Sequence, residues 1–64
     1  MNTSFQVYVL WKSGDDEVVY DGKWESEARQ AGQDAYEKGA VFVDLYRLEN
    51  GEVQTFSPLK RQGW

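Results

Sequence analysis

Val41 to Leu48 reads Val-Phe-Val-Asp-Leu-Tyr-Arg-Leu, and Asn50-Gly51 follows it. Successive side chains of a strand point to opposite sides, so a strand with one wet face alternates apolar and polar residues. This run is apolar on both sides, and both faces need cover. A chain of 64 residues has little cover to spare. A domain of that size buries only about 60% of the surface its unfolded chain exposes. The run therefore constrains the chain to a sheet protein with one surface open to association. Asn50-Gly51 is the pair that a two-residue type I′ hairpin favours, because both positions need positive φ.

The rest of the chain fits around that hairpin. Phe5 to Trp11 is rich in aromatic and β-branched residues and predicts a first strand. Ser13-Gly14-Asp15-Asp16 is turn chemistry, and Glu17 to Asp21 predicts a short second strand. Residues 25–38 predict a helix. Ala28, Ala31, Gly32, Ala35 and Tyr36 recur at helical spacing on one small-residue face. Ser26 is a candidate N-cap, with a start one or two residues earlier as the alternative; Glu25 and Glu27 fall in the first turn, Lys38 in the last, and Gly39 is the C′ residue. Trp24 and Tyr36 are expected to cover the two ends of that face. Residues 41–48 and 52–57 form the third and fourth strands, and Pro58 ends the ladder because it has no N–H. The expected fold is a two-layer α+β domain, ββαββ, with one helix on a four-stranded antiparallel sheet of order 2-1-3-4. It is one domain over residues 1–64, ordered over about 4–58, with 59–64 as a flexible tail.

Alternation then sorts the faces. Phe5, Val7, Val9 and Trp11 should meet the helix, with Val41, Val43 and Leu45 beside them. A hairpin tip at Gly14-Asp15 sets Trp11 against Val18, Val9 against Tyr20 and Lys12 against Glu17. The second hairpin sets Leu45 against Phe56 inside and Leu48 against Val53 outside, with Glu49 opposite Glu52. The outer face then carries Tyr8, Leu10, Val19, Phe42, Asp44, Tyr46, Leu48 and Val53. These eight residues are the candidate site. Asp44, set between aromatic residues, is placed to pair with Lys12 or with an arginine supplied by a partner. The competing expectation is that Leu59 and Trp64 fold back over this face.

Composition excludes most chemistry. Histidine and cysteine are absent, which removes the commonest general base, thiolate ligands and disulfides. The acidic residues fall on turns and on the outer helix face, and Asp15, Asp16 and Glu17 lack the ligand ladder of a calcium loop. No enzyme, metal or cofactor is expected. Seven Lys and Arg against eleven Asp and Glu give a net charge of −4, which disfavours a nucleic-acid binder. No run approaches the ~20 apolar residues of a membrane span. The expected setting is cytoplasmic.

The body from Phe5 to Phe56 resembles a class of very short phage and bacterial sheet-plus-helix proteins. Among these are phage inhibitors of host RNA polymerase and anti-CRISPR proteins. The likeness is carried by Glu27-Ala28, Ala31 and Ala35, followed by a strand and Asn50-Gly51. It implies binding to a larger assembly and transfers no functional residue. Three functions compete for the outer face. One is a protein-binding module that uses this face, with inhibition of a larger assembly among the roles open to it. The second is a homodimer that seals the face on itself. The third is a single-strand nucleic-acid platform built on Tyr8, Phe42 and Tyr46.

Overall fold

The computed structural model describes residues 2–61. The chain order is β1 (Thr3–Trp11), β2 (Asp16–Gly22), α1 (Glu25–Glu37), β3 (Ala40–Glu49) and β4 (Glu52–Pro58). The strands form one antiparallel sheet in the order β2-β1-β3-β4, so the fold is α+β with the expected topology. The two most apolar strands are central, where both edges of the ladder are satisfied. The core lies between α1 and one sheet face. It comprises Phe5, Val7, Val9, Ala28, Ala35, Val43, Leu45 and Leu59.

Leu59 overturns one expectation. It is buried in this core, not part of a flexible tail, and it lies on the helix side and not over the outer face. Its amide donates to the carbonyl of Val43 at 2.8 Å, and its own carbonyl accepts the Tyr36 hydroxyl. Gln33 Nε2 donates to the Lys60 carbonyl at 2.9 Å. The small helix face now has its reason. A Cβ on Gly32 would stand 2.6 Å from Leu59 Cδ1 and 3.1 Å from Val43 Cγ1. Gly32 is the slot into which Leu59 packs. Trp64 lies outside the described residues.

The helix starts at Glu25, so Ser26 is not its cap. Trp24 holds the N-cap position with no side-chain cap bond, and it is 64% exposed, so it does not cover the face. The Tyr20 hydroxyl stands in instead. It accepts from the Trp24 amide at 3.4 Å and donates to Glu27 Oε1 at 3.0 Å. Arg29 pairs with Glu25 one turn away at 2.9 Å. The helix ends with Lys38 as C-cap and Gly39 beyond it, whose amide donates to the Tyr36 carbonyl.

Three bulges set the register, and none was anticipated. The first hairpin turns on Lys12-Ser13-Gly14. Trp11 donates to the Asp15 carbonyl at 2.7 Å, and Gly14, at φ 97°, donates back to the Trp11 carbonyl. A three-residue loop with a left-handed third residue moves the centre of the tip from between Gly14 and Asp15 back to Ser13. Leu10 therefore faces Asp16, Val9 faces Glu17 and Tyr8 faces Val18. Val19 is then the extra residue of a bulge, and pairing resumes with Val7 against Tyr20. The predicted Trp11–Val18, Val9–Tyr20 and Lys12–Glu17 pairs do not form. Glu17 instead accepts the Trp11 indole N–H at 2.9 Å. The second bulge falls at Val41, between the Leu10–Phe42 and Trp11–Ala40 pairs. It turns Ala40 inward and leaves Val41, expected in the core, 54% exposed. The third falls at Gln54. Glu49–Glu52 and Leu48–Val53 pair as expected, but the ladder then shifts to Arg47–Thr55, Tyr46–Phe56 and Leu45–Ser57. Phe56 therefore lies outside, not inside against Leu45.

Candidate functional site

The outer face is built from the residues of one parity on the central strands. On β1 these are Gln6, Tyr8 and Leu10. On β3 they are Phe42, Asp44, Tyr46 and Leu48. Cross-strand pairing sets Gln6 against Tyr46, Tyr8 against Asp44 and Leu10 against Phe42. β4 adds Val53 and Phe56 opposite Leu48 and Tyr46. β2 adds Val18 opposite Tyr8 and Asp16 opposite Leu10.

Three rings form a line across three strands. Tyr8 meets Tyr46 edge-on, with centroids 6.4 Å apart and planes at 87°. Tyr46 meets Phe56 at 5.8 Å with planes tilted by 33°. Edge-on and offset ring pairs are worth about 0.5–1.5 kcal/mol beyond their area. Phe42 and Val53 are each 53% exposed beside the line of rings, and Phe56 is 66% exposed. Leu59 does not shield this surface, because it goes to the other face, and Lys60 and Arg61 line a groove at its Phe42 margin.

Seven of the eight predicted site residues lie on this face. Val19 does not. The three-residue hairpin tip sets Val18 opposite Tyr8 on the outside and so points Val19 toward the helix, where it packs on the core. Leu48 lies on the face but is only 7% exposed, so it supports the surface more than it offers contact. Phe56, Val18 and Asp16 were missed. The unbroken Val18-Val19-Tyr20 run, which a simple half-wet strand would not contain, is a sequence signal for the β2 bulge. Nothing comparable marks Gln54.

The face carries charge of one sign. Asp16, Asp21 and Asp44 belong to it, and among its described residues there is no Lys or Arg. Lys12 lies in the turn beyond Trp11 and does not pair with Asp44. Asp16 accepts the Tyr8 hydroxyl, and Asp21 Oδ2 accepts Gln6 Nε2 at 3.4 Å. Asp44 is partly buried between Phe42 and Tyr46, and its carboxylate has no hydrogen-bond or ion-pair partner among the described residues. The hydrogen bond to Asp16 pushes the Tyr8 phenol above its usual pKa, with partial desolvation and the Asp16 charge acting in the same sense. Tyr8, Leu10, Asp16, Phe42 and Asp44 line a depression of about 200 Å³. That is below the ~300–1,000 Å³ of ordinary small-molecule pockets.

A larger groove of about 550 Å³ runs beside the end of β4, between Tyr36, Val41, Phe42 and the Pro58–Arg61 segment. Its lining is mostly apolar, with Lys60 and Arg61 as the basic members. Among the described residues no three His, Cys, Asp or Glu side chains are grouped to hold a metal. No helix is long and apolar enough to cross a membrane among the described residues. The chain matches no family model, and no curated protein or solved structure matches it.

Proposed function

We propose that this chain is a non-enzymatic protein-binding module that works through the outer face of its sheet. The observation that carries the reading is the line of Tyr8, Tyr46 and Phe56 across three strands, flanked by exposed Phe42 and Val53. Rigid aromatic side chains lose little entropy on docking and are enriched at the centres of protein interfaces. A contiguous patch of this kind on a soluble domain calls for a partner. A partner that carries positive charge fits best, because the face holds carboxylates and, among described residues, no cation.

The same charge counts against the other two occupants. A homodimer through this face gathers six carboxylates into one interface, with Lys60 and Arg61 standing only at its margin, in the groove beside Phe42. A nucleic-acid platform needs Lys or Arg to neutralise phosphate. The role of inhibitor of a larger assembly is compatible with so small a chain and belongs to the same proposal.

The test uses paired baits. Wild type and Phe56→Glu are immobilised and compared for proteins captured from lysate of the source organism. Phe56 is two-thirds exposed, so the variant should keep the helical circular dichroism of the wild type. A partner retained by wild type and lost by Phe56→Glu supports the reading. A partner held equally by both moves the interface elsewhere.

A further inference from the structure

The depression beside Asp44 has a chemistry more specific than an apolar interface requires. It is lined by the cross-strand pair Leu10–Phe42 and by Tyr8. Asp16 and Asp44 line it as well, Asp16 from β2 directly opposite Leu10 and Asp44 from β3 directly opposite Tyr8. Asp16 already has one donor, the Tyr8 hydroxyl, which fixes its carboxylate in place. Asp44 is partly buried and has no partner among the described residues. A carboxylate in that setting loses hydration and gains nothing in return unless a donor arrives from outside.

The geometry points to this depression as a receptor for one arginine side chain of a partner protein, presented between apolar residues. The inference rests on the protein-binding reading and adds the chemistry of the anchor. At about 200 Å³ the space suits a single side chain, not a nucleotide or a drug-sized ligand. A guanidinium satisfies the site in two ways at once. Its planar fork bonds a carboxylate through two parallel N–H groups, and its faces stack on aromatic rings. Phe42 and Tyr8 supply the rings, and Asp44 supplies the carboxylate. A lysine brings a point charge and no planar face, so it engages Asp44 without the stacking. The apolar residues on either side of the arginine would lie on Tyr46 and Phe56 in one direction and on Val18 in the other.

The test is a nuclear magnetic resonance titration of the isotope-labelled full chain. The probe is the capped tripeptide Leu-Arg-Leu. The controls are the same peptide with citrulline, which is neutral and nearly isosteric, and with lysine. The expected result is saturable shifts at Tyr8, Leu10, Phe42 and Asp44 in the millimolar range, as befits one anchor residue. Citrulline should bind about tenfold more weakly, the factor that one charge-assisted pair supplies. Asp44→Asn should remove that difference between arginine and citrulline while leaving the spectrum of the fold intact. Phe42→Ser, at a half-exposed position, is the second variant and should weaken arginine and citrulline alike.

Equal binding of arginine and citrulline overturns the proposal, as does an arginine affinity unchanged in Asp44→Asn. Lysine binding as tightly as arginine overturns the arginine assignment. Shifts of the same residues on dilution of the protein alone assign the face to a second copy and also overturn it. So do saturable shifts with a thymidine oligonucleotide. These failures are separable from failure of the wider reading, because the Phe56→Glu capture experiment does not involve the depression. A retained partner contact at Phe56 with no arginine preference leaves an apolar interface without the arginine anchor.

Discussion

Two residues show how single groups decide this structure. The Tyr8 phenol donates to Asp16, and that bond raises its pKa. The phenol of Tyr20 is raised too, by partial burial first and by Glu27 in the same sense, with the contact to the Trp24 amide acting the other way. A group whose folded pKa lies above its unfolded value stabilises fully below the unfolded value, about pH 10 for tyrosine. That contribution is lost as pH rises through the folded value. Stability should therefore fall above about pH 10, and Tyr8→Phe should flatten part of the fall. Urea melts between pH 8 and 11 check this, and an unchanged slope in Tyr8→Phe would contradict the Asp16 bond. Gly32 is the second case. An alanine there gains about 1 kcal/mol of helix propensity but drives a methyl into Leu59 and Val43. Overpacking costs about 1–3 kcal/mol, so Gly32→Ala should be neutral to destabilising by up to about 2 kcal/mol. In a Leu59→Ala background the slot is empty, and the same change should become stabilising. A double-mutant cycle by chemical denaturation measures that reversal in sign.

At the scale of elements, cover is uneven. The helix packs on β1, β2 and β3, while every residue of β4 is exposed. β4 is held by its ladder to β3, by the Tyr46–Phe56 contact and by the turn at Asn50-Gly51, with φ of 53° and 84°. Few buried contacts mean a low free energy of local opening. Amide hydrogens of β4 should exchange well before those that β1 and β3 share, and equal protection would show that β4 opens only with the whole domain. Leu59 is the clasp that follows β4 back to the core. Leu59→Ala should cost about 2–5 kcal/mol, the range for buried leucines, measured by urea unfolding. A loss near zero would return Leu59 to a mobile tail. The bulges act at this scale as well. Each inserts one residue that changes the parity of everything beyond it, and Tyr20, Val41 and Phe56 are where they are for that reason.

At the scale of the whole molecule, the sheet has one face sealed by a helix and one face left apolar, aromatic and acidic. The charge on that face leads to an expectation that light scattering coupled to size exclusion can check. The chain should run as a monomer at low salt, because a dimer through this face brings like charges together. Screening of those charges, with a Debye length near ~3 Å at 1 M, should favour whatever weak self-association the apolar surface permits. A salt-independent dimer would contradict the assignment of the face to a basic partner. Much of this architecture was legible in the chain. Periodicity gave five elements in order, and the apolar character of Phe5–Trp11 and Val41–Leu48 placed β1 and β3 at the centre. Asn50-Gly51 located the second hairpin. These signals are local, since they depend on which side of a strand or helix a residue points to and on which backbone angles it tolerates. What only the tertiary structure decided is non-local. The bulges depend on how two strands twist to meet a third. The place of Leu59 depends on a gap that the absent side chain of Gly32 opens between helix and sheet. The box around Asp44 exists because β2 and β3 bring Asp16 and Phe42, 26 positions apart in the chain, to opposite sides of Leu10. Periodicity assigns a residue to a face. Which residues share a patch of that face is set by register, and register is a property of the packed sheet.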